Sequence, residues 1–211
     1  MMKLYMVPLA PNPTKVMLYI AERAELGLDM GIEEIVVNTV KGRHKESEHV
    51  ARNPFAKLPV LEPKNGSFIT ESLSIIQYLE ERFPEGALMS GGAFQRAKSM
   101  ELERIVELLI AAPMGRYGHA VNSPLGRPPN SEVAKEAADS LTMPLDYLEA
   151  QLADGRASLN GAAPSVADFT LQAFCQFLRF VKVDAFGDRP LLRAWDKRYR
   201  ARPAAKAVLK W

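Results

Sequence analysis

Residues 53–61 of the chain read NPFAKLPVL, and residues 70–72 read TES. Short apolar runs flank the tripeptide Lys64-Asn65-Gly66 between them, which is typical of a β-hairpin because Asn-Gly readily adopts positive φ. At Ser72 the period changes, and apolar residues recur at helical spacing up to Phe83. The stretch therefore predicts two short strands joined by a tight turn and followed directly by a helix.

The residues before this stretch alternate between strand and helix patterns. Residues 3–7 form an apolar run that ends before a proline, which predicts a first strand. From Thr14 apolar residues recur every fourth position until Gly27, a typical helix C-cap, and residues 35–37 predict a second strand. Because a short helix also fits before the NPFAKLPVL run, the predicted order over residues 1–83 is β-α-β-α-β-β-α.

The composition changes after residue 83. Residues 84–92 contain three glycines and a proline without periodicity, and we interpret them as a linker between two domains. Beyond the linker almost every segment has helical spacing; we expect Pro113 to interrupt the first helix, and the pattern at 165–168 predicts a capping box. The predicted fold class is α/β plus all-α, with a β-α-β-α-β-β-α domain at residues 1–83 and an all-helical domain at residues 93–211.

The composition excludes several classes of protein. The chain has 211 residues, of which 47% are hydrophobic and 25% charged, so a disordered or fibrous protein is excluded. A formal net charge of +2 is too small for an obligate nucleic-acid binder, and no apolar run reaches the roughly 18 residues of a membrane span. The single cysteine, Cys175, allows no internal disulfide, and His44 and His49 lack a third ligand nearby. We therefore expect a cytoplasmic protein without a bound metal.

Taken together, the element order and these motifs resemble the cytosolic glutathione transferases over nearly the whole chain. The most specific part is the run at 53–61 with Thr-Glu-Ser at 70–72, which is similar to the family's glutathione-binding signature. Asn160-Gly161 before the capping box is similar to the family's helical domain, and His44-Lys45 is similar to its bacterial and plant branches. The resemblance implies a thioredoxin-like N-terminal domain, an all-helical C-terminal domain and a homodimer.

The residue types also fit the parts of glutathione. A residue before a cis-proline presents its backbone N–H and C=O outward, so Leu58 would hold the cysteinyl part as an added strand. Glu71 and Ser72 lie where a hairpin meets a helix, and free N–H groups there favour the γ-glutamyl carboxylate, while Glu71 can meet the ammonium group. His44 and Lys45 offer donors for the glycyl carboxylate. The predicted glutathione-binding residues are His44, Lys45, Lys57, Leu58, Pro59, Glu71 and Ser72.

Each of these residues also has an ordinary structural interpretation. Pro59 can begin a strand as a trans proline. Glu71 and Ser72 can simply cap the following helix. His44 and Lys45 can be solvated loop residues. The glutathione interpretation depends on all of them occurring in order at the spacing of the family.

The catalytic position departs from the family pattern. Most members activate the sulfur with Tyr, Ser or Cys near the first strand, but here Ala10 occupies the place of the serine or cysteine. Asn12 and Thr14 are the remaining candidate donors, and certain bacterial and fungal members use an asparagine beside the sulfur. The thiol pKa, near 8.5 when free, must fall by roughly two units, which a hydrogen bond to the ion worth about 1.5–3 kcal/mol and a helix N-terminus can supply. The alternative is that Asn12 merely caps the first helix.

A second substrate is expected in the cleft between the two domains, where ligand sites commonly lie. Its predicted lining residues are Leu9, Met114 and Tyr117. An aromatic stripe at Phe174, Phe177 and Phe180 is expected to belong to the core, and Cys175 within it to be an inert buried thiol.

The leading hypothesis is a glutathione transferase that binds glutathione as the thiolate and conjugates it to a small hydrophobic electrophile. One alternative is a glutathione-dependent disulfide reductase or peroxidase of the asparagine-type branch, with a mixed disulfide as its partner. Another is a non-catalytic binding or scaffold protein on the same fold. The basic residues of the C-terminal tail are expected to form a solvated face, so no nucleic-acid or membrane partner is predicted.

Overall fold

The structure, a computed structural model, describes residues 1–64, 66–89 and 91–210. The first part of the chain contains β1 (Met2–Met6), α1 (Pro11–Glu25), β2 (Ile32–Val36), a 3-10 turn (Arg43–Lys45), α2 (Ser47–Arg52), β3 (Val60–Glu62), β4 (Ile69–Thr70) and α3 (Ser72–Arg82). The second part contains α4 (Ala93–Ile105), a π-helical segment (Val106–Ala111), α5 (Ala112–Asn122), α6 (Ser131–Leu152), α7 (Val166–Phe180), α8 (Pro190–Arg200) and α9 (Pro203–Val208). The predicted fold class, an α/β domain followed by a helical domain, is confirmed.

The four strands form one mixed sheet in the order β2-β1-β3-β4. β1 is parallel to β2 and antiparallel to β3, and β4 is antiparallel to β3. Met2, Leu4 and Met6 point to one face of β1, where they are buried with residues of α1 and α3. Tyr5 points to the opposite face, where the Arg52 guanidinium of α2 lies 4.1 Å from its ring. The sheet is therefore covered by two long helices on one side and by a short helix on the other.

Two details of the first domain differ from the sequence prediction or lie beyond it. The second strand begins at Ile32 rather than at residue 35, because its parallel register with β1 extends from Met2–Ile32 to Met6–Val36. Glu33 and Glu34 are consequently strand residues, although their charge gives no strand signal. The predicted hairpin turn includes Asn65, which lies outside the described residues.

The prediction that Pro113 interrupts the first long helix is wrong. Helical backbone runs from Ala93 to Asn122, and the segment Val106–Ala111 just before the proline is π-helical. In an α-helix proline lacks the N–H that its position requires, and its ring collides with the carbonyl four residues earlier. The wider π turn relieves this collision, so the helix continues.

The predicted capping box at the start of α7 is confirmed. Asp168 Oδ2 accepts hydrogen bonds from the Ser165 N–H and hydroxyl, both at 2.8 Å. Its Oδ1 accepts from the Leu159 N–H at 2.9 Å and from the Trp195 indole N–H at 2.8 Å. One fully buried carboxylate therefore joins the start of α7 to α8 and to the loop that precedes α7. Burial raises the pKa of this carboxyl.

Candidate functional site

The strand register brings several loops to one end of the sheet. Tyr5 in β1 lies opposite Val60, the first residue of β3, and Val60 lies opposite Thr70, the last residue of β4. The loop after β1, the loop before β3 and the start of α3 therefore meet at this end of the sheet. β2 ends on the same side because Val36 lies opposite Met6, so the segment leading to His44 also begins here.

The start of α1 presents Asn12 to the surface. Ala10 is the N-cap residue, the helix begins at Pro11, and no side-chain cap hydrogen bond is present. Pro11 and Pro13 have no backbone N–H, and the Thr14 N–H donates to the Ala10 carbonyl at 3.0 Å. Asn12 is exposed, and its amide makes no hydrogen bond among the described residues. Asn12 therefore does not cap α1. Its backbone N–H and its side-chain amide both remain available to a ligand.

Thr14, the second predicted donor to the sulfur, faces the helical domain. Its side chain is buried, and Oγ1 accepts a hydrogen bond of 3.2 Å from the Gln176 amide of α7. The next residue, Lys15, is also buried and donates to Glu103 at 2.6 Å and to Glu107 at 3.0 Å. Residues 14 and 15 thus anchor α1 to the second domain, whereas Asn12 lies at the open end of the helix.

Leu58 has an unpaired backbone just before β3, at the end of the sheet. The Leu58–Pro59 peptide is cis, and pairing of β3 with its neighbours begins only at Val60. Neither the N–H nor the C=O of Leu58 has a hydrogen-bond partner among the described residues. Both groups can therefore pair with an extended peptide that lies beside Leu58.

The loop before Leu58 is held by two side chains that the sequence did not assign to the site. Asn53 Nδ2 donates to the Lys57 carbonyl at 3.1 Å, and its Oδ1 accepts from the Phe55 N–H at 3.1 Å. His49 Nε2 lies 3.1 Å from the same Lys57 carbonyl. The Asn-Pro dipeptide is a recognisable turn signal for Asn53. The sequence contains no comparable signal for the direction of the His49 ring.

Glu71 and Ser72 lie at the start of α3 without capping it. Glu71 is the N-cap residue, has a positive φ of 66° and makes no side-chain cap hydrogen bond. Non-glycine residues held at positive φ are concentrated at functional sites, because such strain persists only where the surroundings maintain it. The Ser72 side chain is buried, and its hydroxyl has no hydrogen-bond partner among the described residues. A hydroxyl and unpaired N–H groups at a helix N-terminus form a polar pair of donors for an anion.

His44 and Lys45 lie in the 3-10 turn before α2. Lys45 is exposed and His44 is half-buried, with its Nδ1 lacking a hydrogen-bond partner among the residues that the structure describes. Burial lowers the pKa of His44 below its usual range, and the neighbouring Lys45, His49 and Lys57 lower it further. Lys45 in this turn and Lys57 in the loop before Leu58 are both exposed basic residues.

Comparisons with known proteins show the family of the chain. The family model "Glutathione S-transferase, N-terminal domain" matches residues 4–87, and "Glutathione S-transferase, C-terminal domain" matches residues 131–201. The "Probable glutathione S-transferase BZ2" of Zea mays is 32% identical over 205 residues, which cover 89% of this chain and 84% of that protein. The chain belongs to the cytosolic glutathione S-transferase superfamily.

Other relatives span the chain at similar identity. "Glutathione S-transferase 2" of Saccharomyces cerevisiae is 28% identical over 99% of this chain and 89% of that protein. The crystal structure of Gtt2 from Saccharomyces cerevisiae superposes with a TM-score of 0.84 at 28% identity, covering 98% of this chain and all of that one. A structure of glutathione S-transferase-I bound with lactoylglutathione has a TM-score of 0.82 at 25% identity, over 99% and 98% of the two chains. The superfamily uses glutathione as a substrate.

The predicted second-substrate residues do not form one surface in this member of the superfamily. Leu9 is half-buried in the loop before α1, with a positive φ of 72°. Met114 is completely buried in the core of the helical domain, because its side of α5 packs against the other helices, and it has no surface toward a cleft. Tyr117 borders a cavity of about 260 Å³ between α6 and the loop at 184–187, within the helical domain.

The aromatic stripe and the single cysteine of α7 are partly as expected. Phe177 and Cys175 are buried in the helical core, while Phe180 at the end of the helix is exposed. Burial strongly raises the pKa of the Cys175 thiol, which keeps it protonated and unreactive.

No cluster of three or more His, Cys, Asp or Glu side chains within residues 1–64, 66–89 and 91–210 could hold a metal ion. Over the same ranges, every helix is too short or too polar to cross a membrane.

Proposed function

We propose that this superfamily member binds glutathione as the thiolate and conjugates it to a small hydrophobic electrophile. The observation that carries the proposal is the unpaired N–H and C=O of Leu58, just before β3 at the end of the sheet where α1 and α3 begin. An extended tripeptide can pair with these two groups as an added strand segment, and its backbone hydrogen bonds supply affinity. On this proposal residues 1–83 form the glutathione-binding domain, residues 84–92 a linker, and residues 93–211 a second domain that helps to line the electrophile site.

The charged ends of glutathione find complementary groups on either side of Leu58. The γ-glutamyl carboxylate is assigned to the Ser72 hydroxyl and the N-terminus of α3, and the γ-glutamyl ammonium to the exposed Glu71 carboxylate. The glycyl carboxylate is assigned to Lys45 and His44, whose surroundings carry positive charge. This assignment orients the cysteinyl sulfur toward the start of α1.

We assign activation of the sulfur to Asn12. Because Pro11 and Pro13 lack N–H groups, the Asn12 amide and backbone N–H are the donors that this turn can offer. A hydrogen bond to an ion contributes about 1.5–3 kcal/mol, which corresponds to a fall of about one to two units in the thiol pKa. Thr14 is the weaker candidate, since its Oγ1 is held against α7 by Gln176.

Thiol–disulfide exchange is the second candidate function, because Ala10 supplies neither a hydroxyl nor a thiol and the Asn12 amide stabilises a thiolate in either reaction. In that case the glutathione thiolate would attack the glutathionyl sulfur of a mixed disulfide, forming glutathione disulfide and releasing the substrate thiolate.

Two measurements test the proposal. Calorimetric titration with glutathione should give saturable binding, and absence of binding would overturn the assignment of the site. A panel of hydrophobic electrophiles and glutathionylated mixed disulfides then separates the two candidate reactions. Conjugation supports the proposal; turnover of mixed disulfides alone selects the exchange reaction; binding without turnover of either class selects a non-catalytic protein.

A further inference from the structure

His49 is a buried polar residue with one hydrogen bond and no role in the site as predicted from sequence. Its exposed fraction is 2%, and its Nε2 lies 3.1 Å from the carbonyl oxygen of Lys57. The carbonyl can only accept a hydrogen bond, so the ring nitrogen that carries the proton is Nε2. The other nitrogen, Nδ1, is buried without a hydrogen-bond partner among the described residues. The only polar contact that these residues provide for the ring is therefore the one to the loop before Leu58.

That hydrogen bond has a consequence for the neighbouring residue. The Lys57 C=O and the Leu58 N–H belong to one planar trans peptide unit, in which they point in opposite directions. The carbonyl is drawn toward α2 by His49 Nε2 and toward residue 53 by the Asn53 amide, each at 3.1 Å. The Leu58 N–H is consequently directed away from α2, and it has no partner among the described residues.

We propose that His49 is a positioning residue for glutathione: by donating to the Lys57 carbonyl it orients the Leu58 N–H for the cysteinyl backbone. The inference rests on the proposed function, because the Leu58 N–H matters for glutathione only if the tripeptide docks beside Leu58. His49 acts through the peptide unit and touches neither the sulfur nor the charged ends. Its loss should therefore weaken docking without altering the chemistry at Asn12.

The test uses two substitutions at His49 and one control. His49→Leu removes the donor, fills a similar space and also removes the unpartnered Nδ1, so we expect this variant to fold. Because a hydrogen bond contributes a modest net free energy, the glutathione dissociation constant should rise about 2- to 10-fold in calorimetry. His49→Gln retains a donor that can reach the same carbonyl and should bind within about twofold of the wild type. His119→Leu is the matched control, since His119 lies half-buried on α5 with its Nδ1 3.1 Å from the Ser123 hydroxyl.

The outcomes are separable. If the wild type binds glutathione and His49→Leu binds equally well, the positioning role is overturned while the proposed function stands. Equal weakening in His49→Leu and His49→Gln would also overturn it, because packing and not the donor would then be responsible. If His49→Leu does not fold, ¹⁵N NMR of the wild-type ring decides: a proton on Nε2 and none on Nδ1 supports the proposal, and the opposite tautomer overturns it. A wild type that does not bind glutathione refutes the proposed function itself.

Discussion

Asn12 is the residue to which we assign activation of the glutathione sulfur. Ala10 has neither a hydroxyl nor a thiol to offer, and the prolines on both sides of Asn12 have no backbone N–H. The side chain is exposed at the first turn of α1 and does not cap the helix. Its amide is therefore free to face an anionic sulfur.

Replacing Asn12 by alanine should raise the pKa of bound glutathione by about one to two units, because one charge-assisted hydrogen bond to the thiolate is lost. Turnover at neutral pH should fall with the thiolate fraction, while glutathione affinity changes little. Ultraviolet titration of the bound thiolate measures the pKa directly. Equal thiolate fractions in the variant and the wild type would remove Asn12 from the mechanism.

Thr14→Val is the matched control for that experiment. The substitution replaces a hydroxyl by a methyl group of similar shape, and the hydroxyl oxygen is bonded to Gln176. We expect an unchanged thiol pKa and a loss of stability of about 1 kcal/mol from the missing hydrogen bond. A raised thiol pKa in Thr14→Val would instead assign the activating group to Thr14.

Ser72 carries the corresponding prediction for binding. Ser72→Ala should weaken glutathione binding by roughly 10- to 150-fold, because a hydrogen bond to a carboxylate contributes about 1.5–3 kcal/mol. The melting temperature should change little, since the hydroxyl has no partner among the described residues. Ser74→Ala, an exposed serine on the same helix, should alter neither quantity. A Ser72 variant that melts lower yet binds normally would show a structural serine and reopen the assignment of the site.

Among the helices, α1 is the element that connects the two domains by charge. Lys15 and Glu103 are each 1% exposed, and the Lys15 ammonium also reaches Glu107, the second residue of the π-helical segment. Thr170 of α7 donates to the same Glu103 oxygen at 3.1 Å. Burial raises the pKa of the Glu103 carboxyl. The cluster holds the end of α1 that carries Asn12 against α4 and α7.

Lys15→Met should destabilise the protein by about 3–5 kcal/mol, because it leaves the buried Glu103 carboxylate without its cation. Denaturant unfolding at neutral pH measures this loss. The control is Lys98→Met, which removes the lysine of an exposed ion pair with Glu101 on α4 and should change stability far less, because exposed ion pairs contribute little. Similar losses in the two variants would mean that the buried cluster stabilises the fold no more than a surface pair does.

At the level of the whole molecule, the long helix of the second domain leaves apolar side chains in solvent. Phe94 on α4 is 72% exposed, and Leu108 and Leu109 in the π-helical segment are about half exposed. Contiguous exposed apolar patches are typical of surfaces that another chain covers, and these side chains are the candidates for such a surface on this helix. With the two-fold symmetry usual for soluble oligomers, a homodimer through the helical domain is expected.

Light scattering at micromolar concentration should therefore give the mass of two chains. Phe94→Glu should shift the population toward the single chain, because the carboxylate would have to be buried in the interface. Val40→Glu is the control, an equally non-conservative change at an exposed residue of the loop after β2. A wild-type mass of one chain would contradict the prediction.

The amino-acid sequence by itself determined the order of the elements, the capping box and the junction at Glu71–Ser72. These features depend on residues a few positions apart: the period of apolar side chains, a Ser-x-x-Asp spacing, and the turn chemistry of Asn, Gly and Pro. Local backbone preference and side-chain pairing act over the same short range, so the local sequence pattern is enough to predict these features. The proposed glutathione-binding residues rest instead on the resemblance of residues 53–61 and 70–72 to the family's signature.

Only the tertiary structure decided which of the candidate site residues remain available to a ligand. Thr14 is held by Gln176, 162 residues away, and Met114 is enclosed by helices from distant parts of the chain. His49 is only eight residues from Lys57, yet nothing local shows which way a ring on a short helix turns until the helix packs on the sheet. The helix passes Pro113 because its backbone widens there, which no residue-by-residue propensity describes. Each of these outcomes depends on which packing arrangement is most stable. The contacts that decide this come from parts of the chain that meet only in the folded state.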